Sequence, residues 1–200
     1  ATLGLTLNNV QGAVTLTDPL LKTLNLTTAV KDSSTALTNG TVETLNVSGT
    51  NLVSLTNDLA ALKTVTVSGT AGLTLAAATA NTITSINTTA TTGTVTATID
   101  AGKATYTGGA GVDNVTTTTT TAPTKAINLG AGNDTITLAS GTTAMGVAGT
   151  IDGGAGTDTL SMVAADASIT GASANTTFAG KVTNFEQLTL TGATGAQTID

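Results

Sequence analysis

The sequence predicts an all-β protein, a parallel β-helix or β-roll solenoid advancing about 20 residues per coil. Three observations predict it: a β-branched composition almost without aromatics, apolar–polar alternation along most segments, and one short phrase recurring at constant spacing. Hydrophobic residues make up 40% of the 200-residue chain and aromatics 2%, with no Trp and a single Tyr, Tyr106. Leu, Val, Ile and Ala must then fill the core, which suits narrow, regular layers better than a thick irregular interior. Thr supplies about a quarter of the residues and, with Val, favours strands over helices. A low-complexity disordered chain could share this composition but not the alternation of Leu and Val along its length.

In chain order, the first strand pattern is Leu3, Leu5 and Leu7. Aligned segments follow at residues 21–27, 42–49, 62–69 and 83–88, and their central residues Leu24, Leu45, Val65 and Ile86 lie 21, 20 and 21 residues apart. A fifth copy, residues 185–192, matches residues 42–49 position by position, so that Glu43 and Glu186 are expected to be equivalent. Alternation gives each copy one inward face. A hairpin meander would show shorter, paired spacing, whereas a constant advance of one coil stacks equivalent residues at roughly 4.8 Å; a β-sandwich with fortuitous spacing is the competing reading. Pro19 and Pro123 fall where connections are expected.

Residues 1–100 are thus expected to form a Thr-rich solenoid without clear ion loops. Residues 101–200 are expected to continue it with such loops, interrupted by an irregular insertion near 162–181 where Met162, Phe178 and Phe185 widen the core. The start inside a strand pattern and the stop at Ile199–Asp200 predict a fragment of a longer protein.

Net charge is −6, with 12 acidic residues against 6 Lys and no Arg. This leaves no basic footprint for nucleic acid. Cys and His are absent, which excludes disulfides, zinc sites, Cys/His nucleophile chemistry and a Ser-His-Asp triad. No run is long enough for a transmembrane helix, so no membrane insertion is expected. Glu43 and Glu186 are too far apart in sequence and too solvated to suggest a paired-carboxylate glycosidase site. An enzyme is not expected.

Ten of the acids are Asp, many of them among glycines. Three segments share the pattern Gly-Gly-x-Gly-x-Asp-x-apolar-x. The first holds Gly108, Gly109, Gly111 and Asp113. The second holds Gly130, Gly132, Asn133 and Asp134, with Leu129 replacing its first glycine. The third holds Gly153, Gly154, Gly156 and Asp158. Glycine permits positive φ and close backbone approach, so a short loop can aim several carbonyls at one point. Calcium takes six to eight oxygens, which carbonyls and an Asp carboxylate can supply. The apolar residues Val115, Ile136 and Leu160 return each loop to a strand. The three Asp lie 21 and 24 residues apart, about one coil each, so the loops are expected along one edge with at least two Ca2+ ions between coils. Two unit charges about 5 Å apart repel by roughly 3 kcal/mol at an effective dielectric of 20, so this half is expected to be disordered without the ion.

These motifs resemble the RTX calcium-binding repeat proteins. The Thr-rich phrases VETLNVSGT (residues 42–50) and ALKTVTVSGTAGLTL (residues 61–75) resemble calcium-dependent bacterial surface-layer proteins. The resemblance implies unfolded export by type I secretion, folding outside the cell, and a structural role at the cell surface. It also implies self-association into a lattice, and contact with cell-surface polysaccharide through another region. Two further classes compete: an adhesin or ice-binding module, which needs aligned Thr rows, and the non-catalytic secretion tail of a hydrolase. The Thr register drifts between Asn25, Asn46, Thr66 and Asn87, against the ice-binding reading.

Asp100, Asn128, Asp152 and Asp200 are second-line ligand candidates, each following Ile. The competing reading makes them turn residues that bond their own backbone. Residues 192–199 resemble a decayed loop with Gln197 in the Asp position, and the run Thr116–Thr121 reads as an exposed extended stretch.

Overall fold

The structure, a computed structural model, describes residues 1–56, 59–75, 82–118, 123–141, 148–170, 178 and 180–192, with 168–170 described for the backbone alone. It is a parallel β-solenoid of about seven turns with roughly 21 residues per turn. Among the described residues, nine strands form one sheet and eight form a second, and every pairing is parallel. The first sheet begins with Thr2–Leu7, Thr23–Thr28, Thr44–Gly49, Thr64–Gly69 and Ser85–Thr91, and ends with Ile151–Asp152 and Val182–Thr183. The second runs from Ser33–Thr35 through Val95–Ile99, Asp113–Thr117, Thr135–Thr137 and Thr159–Val163 to Gln187–Thr191. A two-stranded ladder, Ala131–Gly132 with Ala155–Gly156, joins two glycine loops.

The register reproduces the sequence spacing. Leu24, Leu45, Val65 and Ile86 pair successively, and the same column continues through Tyr106, Ile127 and Ile151, all buried. Val115, Ile136 and Leu160 form a buried column in the second sheet. One coil cannot bury its apolar face alone, so cohesion comes from stacking these columns. Pairing is continuous across residue 100, where Val95–Ile99 meets Asp113–Thr117. Leu45 has no exposed surface and lies between Leu24 and Val65, so Leu45→Ala is expected to cost about 2–5 kcal/mol, read as a lower denaturation midpoint.

Outside the strands, Glu43 bridges Lys22 and Lys63 of the neighbouring coils, each at 2.8 Å. Hydrogen bonds from the two ammonium groups pull its carboxyl down to about 2.

One expectation is corrected. Residues 187–191 do not repeat the position of residues 44–49: they pair with Thr159–Val163 in the second sheet, placing Leu188 on Leu160. Both sheets have one inward face, so the same alternation fits either one; Val182–Thr183 takes the last place in the first sheet and hands the next strand to the second. The segment near 162–181, expected as an irregular insertion, is described in part. Met162 lies within a strand, and the helix Ala164–Thr170 follows, where buried Asp166 in the first turn accepts the Gly141 N–H at 2.7 Å. Phe178 is buried and Phe185 packs partly buried on the core. No helix of the described residues is long and apolar enough to cross a membrane.

Candidate metal centre

The inward column Val53, Leu73 and Val95 of the second sheet changes chemistry at the next coil. Asp113 pairs with Val95, and Asp134, Asp158 and Glu186 follow on successive coils, since the residues after them (Asn114, Thr135, Thr159 and Gln187) pair in that order. The three Asp are at most 1% exposed. Buried carboxylates at one-coil spacing repel one another and lose hydration, which is costly without a compensating cation. No ion pair among the described residues reaches them.

One repeated bond ties the column together. The Asp113 N–H donates to Asp134 Oδ1 and the Asp134 N–H to Asp158 Oδ1, both at 2.8 Å. Asp134 Oδ2 and Asp158 Oδ2 are buried with no hydrogen-bond partner among the described residues. Buried polar atoms are normally satisfied, and an orphaned carboxylate oxygen points to an ion, a water or a proton.

The glycine loops stack tightly enough to exclude side chains. Gly130 and Gly154 have φ of 97° and 98°, and Gly132 and Gly156 have 149° and 141°. A Cβ on Gly156 would run into the Gly132 carbonyl oxygen. One on Gly132 would lie 2.5 Å from the Gly111 carbonyl oxygen and 2.9 Å from Asp134 Oδ1. Carbonyl and carboxylate oxygens thus crowd around the space that glycine leaves open. Among the described residues no three acidic side chains group into a metal cluster, so an ion here would take most of its oxygens from the backbone. With that donor set, the Asp134 and Asp158 loops fit a hard cation.

The first loop is different. Asp113 Oδ1 accepts the Tyr106 hydroxyl at 2.8 Å, and Oδ2 accepts the Thr88 hydroxyl at 3.3 Å. Gly108, Gly109 and Gly111 do not adopt the positive φ of the other loops. Gly109 and Gly111 instead press on the carbonyls of Thr88 and Gly93 in the coil below. The three motifs therefore stack along one edge as expected, but they divide into two loops with free carboxylate oxygens and one whose carboxylate is already engaged. Tyr106 carried no signal in the sequence beyond being the single tyrosine; its column position, between Ile86 and Ile127, emerges only from the coil stacking.

Leu129 is fully buried in the core, at the position where the coils on either side carry Gly108 and Gly153. Asn133 Oδ1 accepts the Thr157 N–H at 3.0 Å, stitching two loops. Asp100 accepts the Gly102 N–H and pairs with Lys103, and Asp152 accepts the Gly154 N–H and, from the next coil, the Asn184 amide. Asn128 lies in a strand with its side chain exposed. Asp200, residues 193–199 and Thr119–Thr121 lie outside the described residues; Thr117, within the Thr run, is buried and its hydroxyl accepts the Ala139 N–H at 2.8 Å.

Burial pushes the Asp113 carboxyl up to about 7, with the Asp134 charge adding to it and the Tyr106 hydrogen bond opposing it. Burial pushes Asp134 up to about 6, with Asp158 adding to it. Burial also raises the Tyr106 hydroxyl well above its usual range, reinforced by the Asp113 charge. Carboxyls raised in the folded state bind more protons there than in the unfolded chain, so they stabilise the fold at low pH and this contribution is lost as pH rises through the folded values. In chelator, the C-terminal coils are therefore expected to hold their β signal best near pH 4 and to lose it as pH rises to 7, Asp113 alone accounting for roughly 3 kcal/mol. A β signal in chelator that rises over that range contradicts the buried carboxylate column.

Protein-family models, curated proteins and solved structures yield no match to this chain, so the site is read from its own residues and geometry.

Proposed function

We propose that this chain is a non-catalytic structural module of an extracellular bacterial surface layer, its C-terminal coils ordered by calcium. The carrying observation is the pair of buried, unpartnered oxygens, Asp134 Oδ2 and Asp158 Oδ2, in a column flanked by stacked glycine loops. Calcium supplies two positive charges and an oxygen-hungry coordination shell, which offsets both the repulsion and the lost hydration of such a column. Asp134 and Asp158 would hold it with carbonyls of the loops at 130–132 and 153–156. Asp113 is anchored by Tyr106 and Thr88 and serves as the junction with the apolar column below. Extracellular modules bind calcium with dissociation constants of about 10⁻⁴–10⁻³ M, so the C-terminal coils would stay unfolded inside the cell and fold outside it. This matches the RTX-like export logic implied by the motifs.

The surface-layer role is supported by the regular rod, by an outward face of Thr, Asn and Ser, and by the absence of Cys and His chemistry. A calcium titration followed by circular dichroism and by electron microscopy tests both parts. The expected result is a gain of β signal at sub-millimolar to millimolar calcium, followed by ordered assembly. An unchanged β signal overturns the calcium role, and a monomer at millimolar calcium overturns the lattice role.

One observation favours a second reading as an adhesive module. Asn25, Asn46, Thr66 and Asn87 stack in register, with Thr23, Thr44, Thr64 and Ser85 in a column beside them, so the expected drift is one of residue type and not of position. Retention of the calcium-loaded chain on ice or on polysaccharide, lost in Thr44→Lys, would support it.

A further inference from the structure

Glu186 continues the carboxylate column by one coil although no glycine-rich loop precedes it. The bond that the Asp113 and Asp134 N–H groups make to the carboxylate of the next coil is repeated by the Asp158 N–H, which donates to Glu186 Oε2 at 2.8 Å. The surrounding backbone repeats as well. Thr159 N–H, just after Asp158, donates to the Asp134 carbonyl, and Gln187 N–H, just after Glu186, donates to the Asp158 carbonyl.

The route to Glu186 is shorter than the route to Asp158. Asp152 pairs with Thr183, and from those positions six residues lead to Asp158 but only three to Glu186. Asn184, at φ 58°, turns left-handed right after Thr183, where the coil before has Gly153 and then Gly154 at φ 98°, and its amide is fastened to Asp152 Oδ1 at 2.7 Å. Asn tolerates that conformation better than most residues. The additional methylene of Glu over Asp extends the reach of a carboxylate that arrives by the shorter path.

We propose that Glu186 is a cation ligand and forms a further calcium site with Asp158. This rests on the calcium reading above. It shares with that reading the fully buried Asp158 and its unpartnered Oδ2, and its own support is the Asp158 N–H held by Glu186. Glu186 Oε1 takes no hydrogen bond from a described residue, and the side chain is exposed. The site therefore opens to solvent, fills after the Asp134–Asp158 site and exchanges faster.

Isothermal titration of the 200-residue chain with calcium chloride tests it, comparing wild type, Glu186→Gln, Glu43→Gln and the double variant Asp134→Asn/Asp158→Asn. Gln keeps an oxygen for the Asp158 N–H and removes only the charge. The expected result for Glu186→Gln is one ion fewer, or a last step weakened about tenfold or more, with unchanged circular dichroism in saturating calcium and with Glu43→Gln behaving as wild type. Wild-type binding by Glu186→Gln, with binding lost in the double variant, overturns the Glu186 assignment and leaves the calcium reading intact. No binding by any chain overturns both. Hydrogen exchange on the wild type needs no variant: residues 186–190 should gain protection at a higher calcium concentration than residues 134–138, and a shared midpoint overturns the separate site.

Discussion

The double substitution Asp134→Asn/Asp158→Asn is expected to abolish the calcium-induced stabilisation of the C-terminal coils and, in chelator, to make them more stable than wild type. Asn retains an oxygen for the backbone N–H groups that these side chains now serve, so the ladder of hydrogen bonds survives. What disappears is the charge. With calcium about 100-fold above its dissociation constant, each ion contributes about 2.7 kcal/mol, so two ions shift the wild type by roughly 5 kcal/mol and the variant hardly at all. Without calcium the balance reverses, because adjacent carboxylates at an effective dielectric near 20 repel by roughly 3 kcal/mol and the variant lacks that repulsion. Thermal melts with and without calcium read both signs, and hydrogen exchange locates them. Protection within residues 21–99 is expected to be similar in both chains, since none of the buried residues described there is a carboxylate. An equal calcium shift in wild type and variant would sink the ion-folding mechanism.

Gly156→Ala is the second change with a large expected effect. Its Cβ would collide with the Gly132 carbonyl oxygen of the coil below, at a residue whose φ is +141°. A backbone oxygen inside a stacked ladder cannot swing aside as a flexible side chain could. The cost is expected to be about 3 kcal/mol or more, from strained φ together with separation of the two loops. It should appear as a lower denaturation midpoint in saturating calcium and as weaker calcium binding. Gly4→Ala is the control: a Cβ there meets nothing within 4 Å, and the change is expected to be neutral or to stabilise by up to about 1 kcal/mol. Equal melting temperatures for Gly156→Ala and wild type would mean that the loops do not stack as described.

Much of the solenoid was legible because its determinants are local or strictly periodic. Leu24, Leu45, Val65 and Ile86 announce both the inward face and the coil length, and the three glycine loops announce their own turns. Residues 185–192 match residues 42–49 in sequence yet join the other sheet, because period-two alternation states which side chains face inward and is silent about which of two sheets they join. The equivalence of Glu186 with Asp158 was hidden for the same reason, since its resemblance to Glu43 is stronger in sequence than in space. The division among the Gly-Asp loops was hidden because Thr88 reaches Asp113 only when its coil stacks under the one that carries Tyr106 and Asp113, and none of those residues signals the others.

The sequence by itself determined that the chain is an all-β parallel solenoid, how far each coil advances, and that carboxylates gather on one edge among glycines. Those properties follow from backbone freedom, side-chain alternation and spacing, all of which are written along the chain. Tertiary structure alone decided that the carboxylates point inward in the column begun by Val53, Leu73 and Val95, and that Tyr106 and Thr88 engage the first of them. It also decided that Asp134 and Asp158 are left with unpaired oxygens and that Glu186 joins their column. The physical reason is that burial and hydrogen-bond satisfaction belong to neighbouring coils roughly 21 residues away, which exist as neighbours only once the coils are stacked.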